Sequence, residues 1–169
     1  MKRICAWCKK DLGAKPSMAD DATITHGICK SCITQYLSAL AKSMPEFLDG
    51  LGVPILMIGS RPRVVTANRQ ARELLGKDLP GIEGRRGGEV IECIYSKRPG
   101  GCGEQEHCKS CTIRQTVLET FATGKGFVRV RAYPDIQTGK DEKTMCIEIS
   151  TEKIGDYVLL RIDDLRDVE

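Results

Sequence analysis

From Cys32 onward, apolar residues recur at Ile33, Leu37, Leu40, Met44, Phe47 and Leu51, alternately four and three positions apart, which keeps them on one face of a helix. Pro45 interrupts that stripe, and Ser43 with Glu46 forms a capping box. We therefore expect one helix over about residues 30–42 and a short second one over 44–50. The run VPILMIG at 53–59 ends in Gly59, Ser60 and Pro62 before Val64-Val65, the punctuation of a hairpin. Helix formers over 67–75 stop at Gly76, a suitable C-cap. Residues 76–90, rich in glycine and charge, predict loop and short turns, with Arg85-Arg86 solvated. Ile113, Val117, Leu118 and Phe121 share a stripe on a helix over 112–121 that Gly124 closes. Strands then follow at 126–133, 143–151 and 157–162, separated at Thr138-Gly139 and Gly155. The order predicts an α+β fold, a five-stranded antiparallel sheet with helices on one face.

The first 32 residues do not fit that scheme. Ile4, Trp7, Leu12, Ile24 and Ile28 are too few to bury a core, so a metal must hold the segment together. Cysteine supplies the ligands. The chain has nine. Cys5, Cys8, Cys29 and Cys32 form two CxxC turns, the second opening a helix, and four thiolates with no open position make a structural zinc site. Cys93, Cys102, Cys108 and Cys111 are separated by eight, five and two residues. Their spacing is compatible with zinc, with an iron–sulfur cluster and with reversible disulfides. Cys146 alternates with Met145 and Ile147 on a strand and reads as a small core residue. His26 is expected to support the first site, His107 to be solvated, and Trp7 to cover the metal.

Charge adds an exclusion. The formal net charge is +3, but two filled four-thiolate sites bring it to about −1. Nonspecific nucleic-acid binding is not implied. Met1-Lys2-Arg3 leads directly into Ile4 and Cys5 without a signal-peptide run, and no stretch approaches the roughly 18 apolar residues of a membrane span. A cytoplasmic location is expected, where thiols stay reduced or bind metal. The GxxxxGK[ST], HExxH and nucleophile-elbow motifs are absent, so we expect no catalytic activity.

The segment TANRQARELLG, with Asn68, Ala71, Leu74, Leu75 and Gly76, resembles the signature of PAS domains. The resemblance spans about residues 44–165, and RIDDLRDVE looks like the linker that leaves such domains. ICAWCKK with THGICKSC resembles a treble-clef-like zinc module of bacterial signalling proteins, and residues 93–111 resemble a cysteine-bearing insertion seen in a subset of PAS domains. The resemblance implies a zinc module at 1–33, connecting helices at 34–50 and a PAS-like sensor domain at 51–165. It implies a signal-sensing and interaction protein with a signalling partner. The stripe from Ile33 to Leu51 is expected to mediate a homodimer. The alternative is a thiol–disulfide redox enzyme or switch using Cys102, Cys108 and Cys111.

Overall fold

The computed structural model describes residues 2–6, 8–14, 24–32 and 44–168. The chain divides into two compact units, Met1–Met44 and Pro45–Glu169. In the first, β1 (Lys2–Cys5) lies between β2 (Asp11–Ala14), antiparallel to it, and β3 (Ile24–Gly27), parallel to it. Residues 30–32 are helical. The rest of the predicted helix over 30–42, Ser43 of the capping box, Trp7 and the side chain of His26 lie outside the described residues.

The second unit begins with α1 (Met44–Asp49) and carries an antiparallel sheet built from β4 (Ile55–Ile58), β5 (Val64–Ala67), β6 (Phe127–Ala132), β8 (Asp141–Ile154) and β9 (Tyr157–Asp167), in the order β5-β4-β9-β8-β6. A short sixth strand, β7 (Asp135–Thr138), pairs with the start of β8 across the turn read at Thr138-Gly139. The helices α2 (Arg69–Leu75), α3 (Gly87–Val90) and α4 (Thr112–Thr123) follow β5, with one 3-10 turn between the first two and two between the last two. β4 is buried on both faces, which explains its uninterrupted apolar run. Leu56 and Ile58 enter the main core with Val64, Val117, Ile149 and Ile162. Ile55 and Met57 meet Leu48 of α1 on the opposite face.

Asn68 ties these layers together. Fully buried, it caps α2 by accepting from the Ala71 amide at 3.0 Å. The same Oδ1 accepts from the Ile55 amide at 2.9 Å, while Nδ2 donates to the carbonyls of Leu48 at 3.0 Å and Val53 at 2.6 Å. At the other end of α2, Gly76 takes the left-handed φ of 61° that a C-cap demands.

The last strand departs from the expectation. RIDDLRD is not an exit linker but the second half of β9, in register with β8 from Met145↔Asp167 to Ile154↔Tyr157. Its charges sit on a polar face of the sheet. Glu148, whose side chain is only 5% exposed, accepts from Arg129 Nε at 3.0 Å and Arg131 Nε at 2.8 Å, and Arg166 of β9 lies 3.8 Å away. Arg131 and then Arg129 hold its carboxyl below the ordinary glutamate range. Cys146 is buried in the strand, as its alternation implied.

Candidate metal centres

The first four cysteines converge. Cys5 ends β1, and the chain turns back on it through the Cys5 amide to the Lys10 carbonyl at 2.8 Å and the Lys9 amide to the Cys5 carbonyl at 3.0 Å. The Ala6 amide donates to Gly27 at 2.8 Å, which brings the second CxxC beside the first. All four sulfurs fall within 4.8 Å of one another, with Cys8 Sγ and Cys29 Sγ 3.6 Å apart. A tetrahedral zinc with bonds of about 2.3 Å needs sulfurs about 3.8 Å apart, so the geometry fits one such ion. The Cys29 amide donates to Cys5 Sγ and the Cys32 amide to Cys29 Sγ, each at 3.4 Å. The Ser31 hydroxyl, 3.1 Å from Cys29 Sγ, and the Cys32 amide pull the Cys29 thiol down. Cys29 and Cys8 push Cys32 up to about 12. Four thiols this close cannot all ionise without a cation among them.

The second group is arranged differently. Cys93 stands between α3 and a 3-10 turn over Ile94–Lys97, Cys102 is in the glycine loop, and Cys108 and Cys111 belong to the turn over Glu106–Ser110 that leads into α4. All four line one cavity of about 600 Å³ between the helices and the sheet, whose inner wall includes Leu56, Val117, Ile147 and Ile149. Among the described residues no three of these sulfurs lie within 4.8 Å of one another. They therefore stand wider than one tetrahedral ion requires, yet Cys108 and Cys111 lie close enough to add to the rise that burial gives the Cys93 and Cys102 thiols.

One backbone amide points directly at a sulfur of this group: Gly103 donates to Cys108 Sγ at 3.3 Å. The backbone at Gly88, beside Cys102, and at Tyr95 and Ser96, beside Cys93, favours those thiolates. A methyl group on Gly88 would lie 2.7 Å from Cys102 Sγ, so only glycine allows this approach. Burial nonetheless dominates and pushes the Cys93 and Cys102 thiols up.

Arg85 and His107 are exposed, as the sequence suggests, whereas Arg86 differs from that reading. Arg86 is not a solvated loop residue; it caps α3 and donates to the Cys102 carbonyl. His107 stacks on the Tyr95 ring at 4.0 Å between centroids, with Arg98 over the same ring at 4.8 Å. That stack joins the Cys93 turn to the Cys108 turn. β7 reaches the group as well, since Ile136 bridges Cys93 and the Gln137 amide donates to the Glu92 carbonyl at 2.8 Å.

No family model and no curated protein matches the chain. Solved structures resemble it. A LOV protein from Rhodobacter sphaeroides aligns at 14% identity and TM-score 0.48, over 77% of this chain and 66% of that one. The PAS domain of an HTR-like protein from Haloarcula marismortui aligns at 15% identity and TM-score 0.46, over 82% and 100%. The PAS domain of BvgS from Bordetella pertussis aligns at 12% and 0.43, over 75% and 84%. The likeness is one of fold, to an α+β domain with an antiparallel sheet and helices. Among the described residues no helix is long and apolar enough to cross a membrane.

Proposed function

We propose that this chain is a cytoplasmic signal-sensing protein that acts through a partner. In this reading Cys5, Cys8, Cys29 and Cys32 hold a structural zinc ion, and Cys93, Cys102, Cys108 and Cys111 hold an iron–sulfur cluster in a PAS-like domain. The observation that carries it is the contrast between the two groups. One closes to single-ion spacing; the other lines a largely apolar cavity at wider spacing, with the Gly103 amide donating to Cys108 Sγ. Hydrogen bonds to the sulfurs and burial are what tune iron–sulfur centres. A cluster there would supply a one-electron change of charge, and the Cys93 contacts with β7 give that change a route into β8. The thiol-exchange alternative has less support, because its nucleophile needs a lowered pKa and Cys102 is raised by burial.

Anaerobically purified protein is expected to be brown, absorb in the visible and contain both iron and zinc. A colourless protein with about two zinc ions per chain would sink the iron reading in favour of two zinc sites.

The same proposal includes a homodimer. In α1, Leu48 is buried against the sheet while Met44 and Phe47, and Leu51 just after the helix, remain 47, 49 and 44% exposed. They continue the stripe of Ile33, Leu37 and Leu40, which lie outside the described residues. A second copy of the stripe is the occupant that heptad spacing fits. Phe47→Asp is expected to give a monomer by light scattering. A monomeric parent protein would refute the dimer.

A further inference from the structure

The charged groups lining the cavity are unbalanced. Four are arginines, Arg61, Arg63, Arg86 and Arg114, and one is a carboxylate, Glu104. Arg63 donates to the Gly84 carbonyl at 2.7 Å, and Arg86 reaches Glu104 at 3.3 Å as well as the Cys102 carbonyl. Arg114 is half-buried in the first turn of α4, and among the described residues it forms no ion pair. A partly buried guanidinium with no ion-pair partner on the protein remains available to an anion placed in the cavity. Gly103 marks where it points: a methyl on that glycine would lie 3.5 Å from Arg114 Nε and 3.7 Å from an Arg86 Nη atom. Gly103 follows Cys102 in the chain and gives its amide to Cys108 Sγ. Both guanidinium groups thus border the loop that carries Cys102 and hydrogen-bonds Cys108.

We propose that Arg114, with Arg86 beside it, is the counter-charge of the thiolate centre on Cys93, Cys102, Cys108 and Cys111, and sets how readily that centre accepts an electron. The inference rests on the iron–sulfur reading above. Reduction adds one electron and no proton, leaving the centre one charge more negative. A guanidinium within a few ångströms stabilises the reduced form more than the oxidised one. Arg86 also anchors the Cys102 carbonyl, so its removal would disturb geometry together with charge. Arg114 is the cleaner probe.

The experiment is a dye-mediated redox titration of the parent, Arg114→Gln and Arg114→Lys proteins, with iron content and visible absorption measured on each sample. With equal iron, Arg114→Gln is expected to shift the reduction equilibrium about tenfold toward the oxidised form, about 59 mV for a one-electron couple. Arg114→Lys, which keeps the charge, is expected to stay near the parent. An unchanged potential in the glutamine variant, or equal shifts in both variants, overturns the proposal. If the parent holds zinc instead of iron, the cluster reading fails, and the counter-charge is read from metal release to a chelator. Arg114→Gln should then lose zinc from these cysteines several-fold faster than the parent and Arg114→Lys should not. Equal release, or a parent with no metal at these cysteines, overturns it.

Discussion

Asn68→Ala is expected to lower the unfolding free energy of the second unit by about 3–5 kcal/mol, read from urea denaturation at unchanged slope. The side chain is fully buried and makes four hydrogen bonds, two accepted from amides and two donated to carbonyls. Alanine removes the partner of the Ile55 and Ala71 amides and of the Val53 carbonyl, while the Leu48 carbonyl still accepts from the Leu51 amide at 3.2 Å, and each group that water cannot reach costs about 1–3 kcal/mol. Loss of the α2 cap accounts for about 1 kcal/mol of that sum. Against a total stability of about 5–15 kcal/mol, this is the largest effect expected of any single side chain outside the cysteines. Thr66→Val supplies the contrast. Thr66 is also buried, but its hydroxyl has no partner, so its removal is expected to be neutral or slightly stabilising. A loss below about 1 kcal/mol for Asn68→Ala would show that α1, β4 and α2 are not held by this residue.

Asn68 also shows why much of this fold is legible in the chain. Its cap, the Gly76 stop, the apolar run of β4 and the stripe of α4 are local patterns, each enforced by a nearby hydrogen bond or a buried face. What the pattern hides is set by distant pairing. β1 and β3 pair in parallel across some twenty intervening residues, and neither four-residue strand carries an alternation. β7 is short and polar and forms because β8 presents it a ladder. The charges of RIDDLRD look like a linker until Glu148 and its arginines are placed on the sheet. The site shows the same division. The cysteines name themselves by spacing, but their different closures do not follow from spacing. Arg86, Gly88, Tyr95 and Arg114 join the second group only through the loop geometry that brings Cys102 against α3. The one available signal was the density of glycine around Cys102 and at Gly87-Gly88, which predicts close backbone approach without saying to what.

The second large effect lies in the first unit. Cys29→Ser is expected to abolish its zinc and unfold it, with limited proteolysis cutting within residues 1–44 while the second unit keeps its unfolding transition. The described part of this unit buries only two side chains, the cysteines Cys5 and Cys29, and its strands are four residues each. Apolar burial cannot offset the chain entropy of ordering it. In the proposed reading metal binding does so, and structural zinc contributes about 10–16 kcal/mol in comparable small modules at pH 7. Acid should act in the same direction as the substitution. Without metal the group retains protons, with Cys32 pushed up to about 12, so zinc uptake expels them and retention falls as pH is lowered. Cys108→Ser completes the pair: it is expected to remove the visible absorption and leave the N-terminal zinc and its protease resistance intact. If Cys29→Ser keeps the parent's digestion pattern, metal is not what holds the first unit. If Cys108→Ser exposes residues 1–44 to protease, the two centres are coupled and the assignment of one to structure and the other to sensing fails.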